Sequence, residues 1–378
     1  MKQARLFTPG PTAVPAEVLE SQSRPLIHHR TDTFKEAFAE VTAGLKTIMK
    51  TENPVVVVAA SGSGAMEAAV VNITAPGEKV IVTELGKFSE RWRDIASAYG
   101  VETVSVEAEW GAPVTPDAVE RAFAEHPDAS ALLTTHSETS TATLQDVEAF
   151  ARIAHDNDAL IAVDGITSIG CHDVRTDEWG LDALVGGSQK GVMIPPGLGY
   201  IALSERAVKK MEAGRQPSFY FDMVRALKSA AKNDTPFTPA ISLVFAMQAA
   251  LRMMLEEGID TIIERHKSNA TAVRAAVNAM GLELLAKTSP SNATTAVMAE
   301  DFATDITKKM EHEHSVKIAG GQGKLSGRIV RLGHIGHYYP QDMRTMMHAF
   351  EQVCGDLGLV ATTGPGVTAL ERSYAGGD

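Results

Sequence analysis

At 378 residues, with 44% apolar and 22% charged side chains, the chain has the composition of a globular protein too long for one small core. Its 35 basic against 47 acidic residues give a net charge of -12, which disfavours nucleic acid and anionic lipid as partners. Cys171 and Cys354 are the only cysteines and form no CxxC pair, which excludes a disulfide framework and fits a reducing cytoplasm. The N-terminus lacks an apolar signal region, and no stretch approaches the roughly 20 apolar residues of a membrane span. A cytoplasmic protein without a membrane or nucleic-acid role is expected.

In chain order, Phe34, Phe38, Val41, Leu45, Ile48 and Met49 recur at three- and four-residue intervals and predict an amphipathic helix ending near Lys50. The β-branched run Val55 to Val58 predicts a buried strand, followed by a helix from about Ala65 to Asn72. Strands are expected at Lys79 to Val82, after the Pro76-Gly77 turn, around Leu132 and Leu133, and at Leu160 to Val163 behind a helix carrying Val147, Phe150, Ala151 and Ala154. This alternation predicts an α/β fold with a mainly parallel sheet covered on both sides, whose ligands collect at the carboxyl ends of the strands. Beyond Leu251 come a long helix, weaker strands near Leu282 to Leu285 and Ala296 to Met298, and a helix from Gln341 to Leu357. The expected division is an N-terminal arm 1–14, a large domain 15–255, a smaller α+β domain 256–360 and a loosely held tail 361–378, rich in Gly and Thr.

Three segments carry the chemistry. Ser61-Gly62-Ser63-Gly64-Ala65-Met66-Glu67 lies between the valine strand and a helix, where small residues expose backbone N–H groups to an anion. It is not a dinucleotide fingerprint, because Glu67 stands where the last glycine belongs, and Gly323-Lys324-Leu325 is not a phosphate-binding loop of the Walker type. A tight turn needing glycine is an equally good reading of the segment alone. Asp164 ends a strand, where a carboxylate faces the ligand crevice or simply caps a turn. Lys190 sits in Ser188-Gln189-Lys190-Gly191 after the apolar Asp182 to Val185, and a lysine desolvated there becomes nucleophilic toward a carbonyl.

Together with His136-Ser137-Glu138-Thr139-Ser140-Thr141, Val163-Asp164 and Gly187-Ser188-Gln189-Lys190, the glycine-rich turn resembles the class V aminotransferases that use pyridoxal phosphate, and most of all their alanine-glyoxylate and serine-pyruvate group. The likeness runs from Phe7-Thr8-Pro9-Gly10-Pro11 to Arg331-Leu332-Gly333. It implies the fold of the aspartate aminotransferase type, a large domain followed by a smaller one. It also implies Lys190 as the Schiff-base lysine and proton carrier, and Asp164 as partner of the pyridinium nitrogen. Phe88 would stack on the cofactor ring, and Thr139 would contact the ring or its O3′. Ser63, Gly64 and Ala65, with Gln189 assisting, would bind the phosphate; Ala65 stands where mammalian members carry a histidine. Thr238 would reach the phosphate of a neighbouring subunit, implying a homodimer with shared sites. Arg331 would hold the substrate carboxylate, with Arg328 its surface neighbour, and Gly10 would let backbone approach the substrate.

Other constellations are set aside. As metal ligands, His28-His29 are set aside because adjacent side chains point in different directions, His312-Glu313-His314 because the charged stretch reads as a solvated helical face, and His334 with His337 because they lack cysteine or carboxylate partners. Cys354 has helical spacing that suggests a packed thiol, so cysteine desulfuration is disfavoured. The expected activity is transfer of an amino group from alanine or serine to glyoxylate or pyruvate. The rivals are a fold-sharing subunit of a larger assembly, since similar chains have been labelled components of soluble hydrogenase, and transamination of an amine such as 2-aminoethylphosphonate.

Overall fold

The computed structural model describes residues 4–376. A short arm strand β1 (Arg5–Leu6) and helix α1 (Ala16–Ser21) lead into α2 (Asp32–Met49), which Thr31 caps by accepting the Phe34 N–H and which Lys50 ends in a left-handed conformation. The large part then alternates β2 (Val55–Val58), α3 (Gly62–Ile73), β3 (Lys79–Glu84), α4 (Glu90–Ala98), β4 (Glu102–Glu107), α5 (Pro116–Glu125) and β5 (Ala129–Thr135). A small hairpin, β6 (Ser137–Glu138) with β7 (Thr143–Leu144), precedes α6 (Val147–Asp156), β8 (Leu160–Asp164), β9 (Ala183–Gly187), β10 (Gly199–Leu203), α7 (Glu205–Ala213), α8 (Met223–Ala230) and α9 (Ile241–Glu257). After a break at Gly258, where φ is +88°, come α10 (Ile259–Ala279), β11 (Thr294–Met298), α11 (Ala303–His314), β12 (Val316–Lys317), β13 (Ala319–Gly320), β14 (Ile329–Gly333), α12 (Pro340–Asp356) and α13 (Pro365–Tyr374).

Seven strands form the large sheet in the order β2-β10-β9-β8-β5-β3-β4, parallel except for β10, which runs against both its neighbours. Alternate side chains divide between its faces, as the two-residue period of a strand requires. Val57, Ile81, Leu132, Ile161, Val163 and Leu184 join the apolar faces of α2, α5, α6 and α9. Val56, Val80, Val82, Leu133, Ala162 and Val185 join α3, α4, α7 and α8. The second sheet, β11-β14-β13, is antiparallel and builds its own core with α10, α11, α12 and α13. The arm ties the N-terminus to this second part: β1 pairs with β12, and Phe7 is buried in that core.

Two expectations change. Leu282 to Leu285 is no strand; only Leu284 bridges, to Val297. The stretch from residue 361 is not a loose tail as far as 374, because α13 packs Leu370 fully into the second core. The buried Glu351 carboxylate accepts the Gly366 and Val367 N–H groups, a negative charge where the helix exposes its amides. Residues 377 and 378 lie outside the described residues. Among the described residues no helix is long and apolar enough to cross a membrane.

Candidate active site

Every strand that runs with β8 ends on the same edge of the large sheet, and five of these ends feed one pocket. It is lined by Ser61, Gly62 and Ser63 after β2, Phe88 and Arg91 after β3, Ser137 and Thr139 after β5, Asp164, Ile166 and Thr167 after β8, and Gln189 and Lys190 after β9.

Lys190 sits on the loop that turns β9 back into β10. Ser188 closes the loop: its N–H donates to the Leu198 carbonyl at 2.9 Å and its hydroxyl to the Pro195 carbonyl at 2.9 Å. Thr12 of the arm donates to the Lys190 carbonyl at 3.1 Å, so the lysine backbone is held from both sides. The Nζ donates to the Pro9 carbonyl at 3.0 Å. Desolvation holds this amine down at about 8; the Asp164 charge opposes it, and the like charges of Arg331 and Arg91 reinforce it.

Asp164 ends β8 with one carboxylate oxygen accepting the Ile166 N–H at 2.8 Å. Burial pushes its carboxyl up to about 7, with the Glu138 charge adding to the rise while Lys190 and Arg91 oppose it. A cationic ring nitrogen beside it would restore the charged form.

The helix head is more selective than the motif suggests. The Gly64 and Ala65 N–H groups both donate to the Ser61 carbonyl, at 2.9 and 3.2 Å, so they are spent inside the turn. Ala65 is also fully buried in the core under α3. The expected anion contacts of Gly64 and Ala65 are thereby corrected: the amides left free by helix geometry are those of Gly62 and Ser63. Ser63 Oγ accepts from Arg91 Nη1 at 2.8 Å. Gln189 turns a buried side-chain oxygen toward no hydrogen-bond partner.

Phe88 lies on the pocket wall, and its loop is pinned by Glu138, which is fully buried. One Glu138 oxygen accepts the Phe88 and Ser89 N–H groups at 3.0 and 2.8 Å; the other accepts the Ser140 N–H and hydroxyl at 2.9 and 2.7 Å. Arg331, on β14, is only 5% exposed, and two carbonyls from different parts of the chain orient it: Nε donates to Gly320 at 2.9 Å and Nη1 to Thr139 at 3.0 Å. Its Nη2 has no protein acceptor among the described residues, which leaves a donor edge for a carboxylate. Burial lowers Arg331 to about 10, against the Glu138 charge. The segment before β11 joins the two parts beside the pocket: Ser291 Oγ and Ser137 Oγ share a hydrogen bond at 2.7 Å, and the Ser291 N–H donates to the Ala142 carbonyl at 2.8 Å.

Of the residues singled out in the sequence, Ser63, Phe88, Thr139, Asp164, Gln189 and Lys190 line one pocket, and Gly10 and Arg331 reach it through Lys190 and Thr139. Thr238 stands apart within one chain, in an apolar hollow with Phe38, Val57 and Tyr220, so its assigned role needs a second chain. Arg328 pairs with the exposed Glu300. His334 is a satisfied core residue between Thr295 Oγ1 and the Asn292 carbonyl, and burial lowers it to about 3. No cluster of three metal-ligating side chains occurs among the described residues. Both cysteines are buried, Cys354 on the packed side of α12. Sequence reasoning missed Arg91, Ser137 and Glu138.

The model for aminotransferase class V matches residues 6–327. The chain belongs to the class V aminotransferases. A chain named soluble hydrogenase small subunit, from a Synechococcus species, is 42% identical over 98% of both chains. The L-aspartate–glyoxylate aminotransferase of Paracoccus denitrificans is 34% identical over 98% of this chain and 96% of its own. Among solved structures, an alanine–glyoxylate aminotransferase from a Nostoc species superposes with a TM-score of 0.90 and 28% identity, covering 93% of this chain and 96% of that one. As a class V aminotransferase the protein takes pyridoxal phosphate, amino acids and 2-oxo acids. The residues present fit that cofactor: a desolvated amine, a carboxylate in the same pocket, a flat ring on its wall, and a helix head with free amides.

Proposed function

We propose that this aminotransferase moves the amino group of a small amino acid, alanine or serine, to glyoxylate or pyruvate, with Lys190 as the residue that carries the cofactor. The observation that bears most weight is the setting of the Lys190 Nζ, held near neutrality by desolvation in the pocket formed with Asp164, with Arg331 oriented nearby. Pyridoxal phosphate supplies the carbonyl that an amine attacks and a ring that accepts the electrons released at the substrate Cα. The chain's own part is positional. Arg331 takes the substrate carboxylate on its free edge, and Asp164 keeps positive charge at the far side of the pocket. Lys190, once free, moves a proton at Cα by movement of its side chain, since its carbonyl is held by the Thr12 hydroxyl and the Met193 N–H.

The backbone of Pro9 and Gly10, closed down on Lys190, favours a donor with a short side chain. The similarity to the Paracoccus and Nostoc proteins, both named as glyoxylate aminotransferases, supports glyoxylate as acceptor. A subunit that only held an assembly together would have no use for an amine lowered toward neutral pH and an oriented guanidinium. A phosphonate donor fits the same Arg331 edge and is the alternative to exclude. The proposal extends to a homodimer in which Thr238 serves the partner's site.

The test is to supply alanine and glyoxylate and look for glycine and pyruvate, then to screen serine, aspartate and 2-aminoethylphosphonate as donors. Borohydride reduction of the loaded protein, with peptide mapping, should label Lys190. A label elsewhere, or no glycine from any donor, overturns the reading.

A further inference from the structure

The pocket contains a guanidinium without a carboxylate. Arg91 is half-buried, and Nη1 donates only to a neutral hydroxyl, Ser63 Oγ. The nearby acids are engaged elsewhere: Glu90 with Lys87, Glu84 with Arg93, Glu67 with the Tyr99 hydroxyl, and Glu138 with its four donors. Asp164 shares the pocket but lies outside ion-pair distance of Arg91 among the described residues. A pocket-lining guanidinium with no carboxylate within ion-pair distance is free to take an anionic ligand as its partner.

The direction in which Arg91 faces says where that anion sits. Its guanidinium lies over the Phe88 ring, 5.1 Å from the centroid, which fixes its plane against the wall that would flank a flat ligand. Because Ser63 Oγ accepts from Arg91, its own O–H proton is turned away and remains free to donate. The Gly62 and Ser63 amides open at the same point, at the positive end of α3. Two amides, a hydroxyl and a guanidinium thus converge from β2–α3 and from the start of α4. A Cβ on Gly62 would meet the end of the Ile166 side chain at 2.4 Å, so a larger residue at the helix head requires that side chain to shift.

We propose that Arg91 binds the phosphate monoester of the cofactor as its fixed counter-charge, the place of this chain's missing donors at Gly64 and Ala65 being taken by a side chain from the next helix. The proposal rests on the assignment of the pocket to pyridoxal phosphate and adds the residue that distinguishes that compound from pyridoxal.

The experiment measures binding, not turnover. Protein stripped of cofactor is titrated by equilibrium dialysis with pyridoxal phosphate and, separately, with pyridoxal. In the wild type the phosphate form should bind more tightly, with a preference that shrinks as salt is raised. Arg91→Gln should weaken binding of the phosphate form by about 10- to 100-fold, the effect of losing a charge-assisted contact, while pyridoxal binding changes little. Arg91→Lys, which keeps the charge and loses the fork, should fall between, and it supplies the same comparison should the Gln variant not fold. Equal weakening toward both compounds, or an unchanged preference in both variants, overturns the assignment of Arg91. Failure of the wild type to bind either compound overturns the pocket assignment itself, a different result.

Discussion

Gly10 and Lys190 are fitted against each other: a Cβ on Gly10 would stand 2.1 Å from the Lys190 Nζ, and φ at Gly10 is +142°, a conformation other residues rarely adopt. Gly10→Ala should therefore displace the lysine amine rather than merely crowd the substrate. We expect kcat/KM to fall by about 100-fold or more, as a misplacement of roughly an ångström at a reacting group does, with borohydride labelling of position 190 falling in parallel. Steady-state kinetics and peptide mapping on the same samples check this.

The free amine of Lys190 should titrate near 8 in protein stripped of cofactor. Only the neutral amine attacks an aldehyde, so the rate of covalent capture of pyridoxal phosphate should rise about tenfold per pH unit below 8 and level off above it. A lysine with its ordinary value would keep accelerating beyond pH 10. Arg331→Ala removes a like charge and should move the midpoint upward. Absorbance-monitored mixing across pH gives both midpoints.

Arg331→Lys keeps a positive charge and loses the planar edge that Gly320 and Thr139 orient. The expected result is a KM for the amino donor raised by about 10- to 100-fold, the loss of a bidentate contact, with the smaller effect on kcat. A panel of donor concentrations at saturating glyoxylate measures it.

Glu138→Gln exchanges an acceptor oxygen for a donor NH2, leaving amides of either the Phe88 loop or Ser140 unmatched in a buried site. Unfolding in urea should show a loss of about 1–3 kcal/mol. Cofactor should also dissociate faster, because the Phe88 wall is no longer pinned. Glu138→Ala should be worse on both counts.

Leu370→Ala tests the C-terminal helix. A fully buried leucine cut back to Ala costs about 2–5 kcal/mol, and the urea midpoint should drop accordingly while kcat at saturating substrate stays unchanged.

The strands that bear the site were readable because Val55 to Val58 and Leu160 to Val163 are continuous apolar runs ending in small or polar residues, the pattern of strands buried on both faces. β4 gave no such run, since Glu102 and Glu107 stand exposed at its ends on the sheet's edge. α13 was illegible because its stability comes from elsewhere: the Glu351 carboxylate that caps it and the core that takes Leu370 belong to remote segments. In the site, residue types at strand ends pointed to Asp164 and Lys190. Which amides of the Ser61 to Ala65 turn are free, however, depends on where the helix begins, and α3 begins at Gly62, three residues before the expected Ala65. Glu138 and Arg91 become meaningful only once folding sets the hairpin and α4 side by side.

β10, the one strand running against the rest, has a mechanical result. The chain returns into β10 at Gly199, so Lys190 rides on a loop whose two ends Ser188 stitches together through Leu198 and Pro195, rather than on a loop leading away to a helix. Its carbonyl is held by Thr12 and Met193, which leaves the four methylenes of its side chain to swing. On the role proposed for Lys190, the arc swept by this one side chain sets how far a proton can be ferried, so the length of lysine itself bounds the reach of the chemistry.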